Sequence, residues 1–261
     1  MQVVENLLME TARAISFLSR LPVPDHYFAG HDGSLRRTIA AFPLAGLVVA
    51  LPAALVIGVL SAAGADAVLV ALIAVTLQIM LTGALHEDGL SDTADGLGGG
   101  RSRDKALAIM KDSRIGTYGA LALILSVAIR IAALTILTAG LPPLAAGLSW
   151  LAAAVLSRTL LVWHWSSLPS ARTDGVAASA GTPDSEAART AYVLGATMTA
   201  ALVIFTLAFH AWFFACVLAL AGVLVFTRHC RKRLGGHTGD TIGASQQLSE
   251  IAFLLTLAII V

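Results

Sequence analysis

The sequence predicts an all-α, polytopic transmembrane helical bundle of about six or seven spans, with an N-terminal interfacial helix and a site on the cytoplasmic side. Three observations predict it. Of 261 residues, 57% are hydrophobic and only 13% charged, against about 25% charged in ordinary globular chains. Several apolar runs approach the ~20 residues a helix needs to cross a hydrocarbon core, and they are too long and continuous for barrel strands. Finally, of the 17 basic residues all but Arg130 and Arg158 lie in alternate connections, as the bias of Lys and Arg toward cytoplasmic loops requires.

Residues 1–20 place Val4, Leu7, Leu8, Ile15 and Leu18 at about helical spacing among Glu5, Glu10, Arg13 and Arg20. That pattern predicts an amphipathic helix lying on the membrane face and no cleavable signal. "RLPVP" ends it, because proline lacks the amide donor and restricts the residue before it. Spans follow at 39–62, 67–85, 117–139, 143–163, 191–209 and 212–227. A weaker seventh candidate at 243–261 carries Gln246, Gln247 and Glu250 in its first half. With no internal repeat, residues 1–261 are expected to form a single integral membrane domain.

Arg13, Arg20, Arg36 and Arg37 precede the first span, and Arg101, Arg103, Lys105, Lys111 and Arg114 follow the second. Arg172 and Arg189 lie between the fourth and fifth, and Arg228, Arg231, Lys232 and Arg233 follow the sixth. The opposite turns, "SAAGAD", "GLPP" and "HAW", carry none. The amino terminus and the basic connections are therefore expected in the cytoplasm. Within the spans stand Arg130, whose burial implies an ion pair or a substrate contact, and Arg158. A net charge of +1 excludes a basic stripe for nucleic acid, and Cys216 and Cys230 form neither a zinc pattern nor a disulfide framework.

Three polar segments face the same side: 86–116, about 164–190, and "TRHCRKRLGGHTGDTIGAS". A site there would be assembled from the ends of several helices. If the second span continues as a helix through residue 95, Asp88, Asp92 and Asp95 stand at i, i+4 and i+7 on one face. Like charges so placed repel unless a cation joins them, and Mg²⁺ takes a few carboxylates together with substrate phosphates. Gly96, Gly98, Gly99 and Gly100 would let backbone amides approach a polyanion, with Arg101 and Arg103 adding charge. Ser102 caps a short helix running to about Lys111, and Asp112 closes it beside Arg114. A hairpin would set Asp112 opposite the aspartate face. Gly235, Gly239 and Gly243 at four-residue spacing suit close helix approach, displaying Thr238 and Asp240. His86 suits a metal ligand, a supporting group or an interfacial histidine without a role. Trp163, His164 and Trp165 read chiefly as an interfacial aromatic belt, with contact to a substrate ring as the alternative. The rival class is a cation- or proton-coupled transporter. Transport would favour acids near the bilayer midplane on broken helices in repeated halves, whereas these acids gather at one surface.

"HEDGLSDTADG" with "IMKDSRIGTYG" downstream, "FLSRLPVP" near the start, "FPLAG" entering the first span and "GGHTGDTIGA" near the end resemble the cobalamin synthase family, the adenosylcobinamide-GDP ribazoletransferases. The motifs run in the family's order over nearly the whole chain. The resemblance implies a multi-pass enzyme of the bacterial inner membrane in a late step of cobalamin biosynthesis. It would transfer the adenosylcobinamide phosphoryl group from adenosylcobinamide-GDP to the 5'-hydroxyl of α-ribazole, or would use α-ribazole 5'-phosphate. The products would be adenosylcobalamin, or its 5'-phosphate, and GMP. Magnesium is the implied metal, held by Asp88, Asp92, Asp95 and Asp112. Asp112 and then Asp95 are the candidates to accept the hydroxyl proton. Gly98, Gly99, Arg101, Lys111, Arg114, Thr238 and Asp240 would bind substrate. The partners are the two substrates and the lipid bilayer, and a homo-oligomer is compatible with the chain. A more distant similarity to CDP-alcohol phosphotransferases lacks that family's Ala-Arg pair, "LSDTADG" standing there instead.

Overall fold

The structure, a computed structural model, describes residues 2–175 and 179–261. Val4, one of the apolar positions expected on the first helix, has its side chain outside the described part. The described residues form ten α-helices: α1 (Gln2–Leu18), α2 (Phe42–Ala62), α3 (Ala67–Thr82), α4 (Leu85–Gly99), α5 (Arg103–Ile109), α6 (Thr117–Gly140), α7 (Pro143–Ser166), α8 (Ser185–Val203), α9 (Phe209–Leu234) and α10 (Gly239–Ile260). Pairing between extended segments is limited, among these residues, to a bridge between Ser170 and His237.

Thr38–Ala62, Thr117–Gly140, Pro143–Ser166, Phe209–Leu234 and Gly239–Ile260 are long and apolar enough to cross a membrane. The bent pair α3 and α4 adds a sixth if the two helices count as one span. Burial sorts these helices: α7 is 89% buried over its apolar window, whereas α6 is 28% and α9 22% buried. α7 is thus the central post, and α6 and α9 turn large apolar side chains such as Ile124, Leu125, Phe214 and Val225 outward. An outward apolar face on a long helix is what lipid accepts and water does not. The chain is a polytopic helical membrane bundle.

Local chemistry sets several boundaries. Asp66 caps α3 by accepting from the amides of Val68 and Leu69 at 3.0 and 3.1 Å, and Asp184 caps α8 through Glu186 and Ala187, each satisfying amides that have no intrahelical acceptor. The second cap corrects the expected span at 191–209. The helix begins at Ser185, carries Glu186 and Arg189, and packs on α7 where Gly195 meets Thr159. α9 also outruns its expected end at 227, continuing through the basic run to Leu234. Arg231, Lys232 and Arg233 in its last turn suit the negative end of the helix dipole, and Gly235 at φ 73° closes it.

The largest departure is at the second span. α3 does not continue to residue 95; Gly83 and Ala84 both take left-handed backbone, and α4 leaves at 87° to α3. Left-handed Ala84 costs about 1 kcal/mol, so the break is held by its surroundings. The amide of Arg20 donates to the Leu81 carbonyl at 2.7 Å, and the Arg20 side chain lies over Gly83, where a Cβ would collide with it. The segment after α1 is thereby tied to the bend. α1 docks through Ala14 and Leu18 on the start of α2, with Leu7 and Ile15 packed beside them, while Leu8, expected on the same stripe, stays 62% exposed.

The doubtful last span is a full helix, 72% buried over its apolar window. Its polar residues face protein. Glu250 pairs with Arg158 at 2.9 Å and with Arg130 at 3.5 Å, and Glu87 pairs with Arg130 at 2.9 Å. Gln246 donates to Glu250 at 2.6 Å, and Gln247 donates to Glu87 at 3.2 Å. Of the two alternatives for Arg130, the buried ion pair holds.

Candidate active site

The three polar segments converge on one end of the bundle through named contacts. Arg103 donates to the carbonyls of Leu234 and Ala171, both at 2.8 Å. Arg233 reaches the Gly100 carbonyl at 2.6 Å, and Arg172 reaches that of Leu107 at 2.9 Å. The backbone of 169–171 pairs with His237. Arg103, expected to add charge for a polyanion, is thus a fastener between segments, as are Arg172 and Arg233.

Between these segments lies a cavity of about 250 Å³. Its polar side carries His86, Asp88, Arg172, Asp174, Thr238 and Asp240; its apolar side is formed by Phe17, Leu18, Phe42, Leu161, Trp165 and Ile242. Two helix amino ends open on it, those of α4 and α10. No side chain caps α4, while Thr238 and Thr241 form a capping box on α10. The paired positive ends favour an anion and ionised carboxylates alike.

The expected aspartate face exists, since α4 is helical throughout 88–95, but its members differ. Asp88 is exposed into the cavity, Asp92 is half-buried and Asp95 is buried. Asp88, Asp95 and Asp240 all repel a charge on Asp92, and Arg172 opposes them. Arg172, missed as a site residue, stands 3.4 Å from Asp240. Its signal in the sequence was only its place in a segment expected on the site's side. Asp240 also accepts from the Thr238 hydroxyl at 3.1 Å.

Asp95 points away from this cluster in its bonding. It accepts from the amides of Gly116 and Gly119 at 2.7 and 2.9 Å, capping α6 from outside. A Cβ at either glycine would collide with its carboxylate, which accounts for both glycines of "IGTYG". Asp95→Ala is expected to lower stability by about 2 kcal/mol through loss of these charge-assisted bonds, read as an earlier thermal transition in detergent. Lost activity at unchanged stability would instead put Asp95 on the metal.

Asp112 does not line the cavity. It pairs with the exposed Arg114, whose hydrogen bonds hold the Asp112 carboxyl down to about 2. Lys111 pairs with Asp174 at 2.5 Å at the cavity edge, and Arg101 is exposed. The glycine run needs correction. Gly96, Gly98 and Gly99 lie inside α4, where amides are spent on carbonyls four residues back, so Gly98 and Gly99 do not offer donors to phosphate. They admit neighbours instead: Gly96 meets Met110 and Gly98 meets the Tyr118 ring. The stripe Gly235, Gly239, Gly243 also divides: Gly235 ends α9, Gly239 begins α10, and Gly243 alone packs on α4, against His86 and Gly89. Trp165 and His164 are buried rather than in an interfacial belt. His164 bridges Thr227 at 2.7 Å and Thr241 at 3.2 Å, whereas Trp165 lines the cavity. Burial pushes the nearby His237 down to about 4, leaving it neutral at pH 7.

Fold and cavity together define an integral membrane protein whose helix ends gather carboxylates, an arginine and two positive helix dipoles, the furniture of a site for a phosphorylated ligand. Residues 10–258 match the cobalamin-5-phosphate synthase family, and the chain belongs to that family. It is 55% identical over 256 residues to the adenosylcobinamide-GDP ribazoletransferase of Sinorhizobium medicae, covering 96% of each chain. It is 53% identical over 262 residues to that of Rhizobium meliloti, covering 98% of each. No solved structure matches.

Proposed function

We propose that this chain transfers the adenosylcobinamide phosphoryl group from adenosylcobinamide-GDP to a ribose hydroxyl of α-ribazole, or of α-ribazole 5'-phosphate, releasing GMP; the 5'-oxygen of the second acceptor is already esterified, so a hydroxyl that serves both is a secondary one and not the expected 5'-hydroxyl. One observation carries the reading: residues of four sequence motifs far apart in the chain, Phe17 and Leu18, Phe42, His86 and Asp88, and Thr238 and Asp240, line the same cavity. The fifth motif holds Asp95 by its glycine amides beside it. Neither the relatives nor this placement favours the transport alternative.

Magnesium suits the donor set. Asp88 and Asp240 offer hard oxygens to one cavity, with Asp92 in their field. Among the described residues no three His, Cys, Asp or Glu side chains form a closed cage, and magnesium needs only one or two carboxylates beside substrate phosphates. Asp88 and Asp92 would hold it. Bound there, it would neutralise charge on the diphosphate. Arg172 and Lys111 would meet the remaining phosphate oxygens, with the helix amino ends behind them. Arg101 and Arg114 extend the positive field into solvent. Proton acceptance suits Asp240, which faces the cavity, better than Asp95, which is engaged with amides, or Asp112, whose carboxyl at about 2 makes a weak base. We place the site on the cytoplasmic side of a bacterial inner membrane, supported by the basic residues gathered at the cavity end.

Purified full-length protein in lipid, given adenosylcobinamide-GDP, α-ribazole and Mg²⁺, is expected to release GMP in step with cobalamin formation, measured by liquid chromatography. Absence of GMP across detergents and lipids would refute the assignment.

A further inference from the structure

The apolar side of the cavity is a continuous wall. Leu18, Phe42, Leu161, Trp165 and Ile242 belong to one buried cluster, with Phe17 packed on it. Three rings run along it: Phe17 and Phe42 stack at 6.1 Å between centroids, and Phe42 meets Trp165 at 6.3 Å. Within it the indole N–H of Trp165, a residue only 2% exposed, has no acceptor among the described residues. Trp150 and Trp212 also leave their indoles without one but do not line this cavity, whereas His86 Nε2 and Arg172 Nε, likewise unpartnered among the described residues, belong to residues on its polar side. A buried donor without a partner is costly, so the wall suits a ligand that brings an acceptor.

Size and polarity select which part of the reaction fits. About 250 Å³ lies just below the usual range for ligand pockets, roughly 300–1,000 Å³. A corrin macrocycle is far too large for it; one nucleoside is not. Guanosine would bury a base edge of several donors and acceptors against hydrocarbon. The benzimidazole of α-ribazole has an apolar rim and one free ring nitrogen, which only accepts. The match with this wall is one donor to one acceptor.

We propose that the Phe17–Phe42–Trp165 wall is the base subsite for the acceptor nucleoside, with the Trp165 indole donating to the free nitrogen of its benzimidazole. This rests on the transfer reaction proposed above and assigns one of its two substrates to the cavity. The ribose then lies toward the polar side, where Asp88 and Asp240 stand. The corrinoid must be held outside it, with its diphosphate reaching in.

Calorimetry on the full-length protein in nanodiscs, without corrinoid, tests the subsite with three probes: α-ribazole, the indole riboside in which CH replaces that nitrogen, and guanosine. The native chain is expected to bind α-ribazole roughly three- to tenfold tighter than the indole riboside, the worth of one hydrogen bond. Trp165→Phe is expected to erase that difference while leaving KM for adenosylcobinamide-GDP unchanged. The comparison of ligands on the native chain stands even if the variant folds poorly. Equal affinity for the two ribosides, no α-ribazole binding, or guanosine competing as well as α-ribazole would overturn the subsite. GMP release by a chain that binds both ribosides equally would sink the subsite and spare the reaction. Selective α-ribazole binding without GMP release would do the reverse.

Discussion

Asp88→Asn is expected to abolish GMP release, lowering kcat on the order of 10³-fold, while the protein still purifies as a folded membrane protein. The substitution keeps shape and removes one charge. Asp88 is exposed to the cavity, and among the described residues no hydrogen bond or ion pair of its side chain ties it into the fold, so stability should change little. Function should change greatly. Losing a carboxylate from a magnesium site forfeits several kcal/mol of charge stabilisation, and each decade of rate is worth about 1.4 kcal/mol. Raising Mg²⁺ should recover part of the rate if the residue acts through the metal. Asp95→Asn offers the contrast, because Asp95 spends its oxygens on the amides that begin α6. Its loss should appear first in the melting curve. Native rates in Asp88→Asn would remove the metal assignment.

The spans were readable because hydropathy is a property of single segments. α2, α6 and α7 lie close to where the apolar runs put them. What depends on a partner elsewhere in the chain was not readable. Nothing local requires a break at Ala84, a residue that normally continues a helix; the bend depends on Arg20 lying over Gly83 from a different segment. Gln246, Gln247 and Glu250 weakened the last span when read alone, since their partners Ser126, Arg130 and Arg158 sit in other helices. The glycines after Asp95 carried the opposite error. Several in a row resemble a phosphate loop, yet the neighbours they admit, Met110 and Tyr118, call for a helix with a flat side. For the candidate site, spacing showed the aspartates but could not rank them. Burial ranks them, sending Asp88 to the cavity and Asp95 to the base of α6.

That same burial makes Glu250 the residue whose loss should most damage the fold. Glu250→Leu leaves Arg158 without its carboxylate partner and Arg130 with Glu87 alone, in the middle of the bundle where all four side chains are almost fully buried. An uncompensated buried charge costs about 3–5 kcal/mol, so unfolding in a denaturing detergent should shift markedly. The pair as a whole need not be stabilising, because desolvating two ions offsets their attraction. The double variant Glu250→Leu with Arg158→Met removes both charges and should therefore regain most of the stability lost by Glu250→Leu. If the two substitutions simply add, the damage comes from packing or from the Gln246 bond rather than from an orphaned arginine. Glu87, the neighbour of Asp88 in sequence, ends this chain of ions through Arg130. In the recovered double variant that anchor remains, and kcat should return together with stability. A stable double variant that stays inactive would mean that the Arg158–Glu250 pair sets the position of α4 at the cavity, and with it the aim of Asp88.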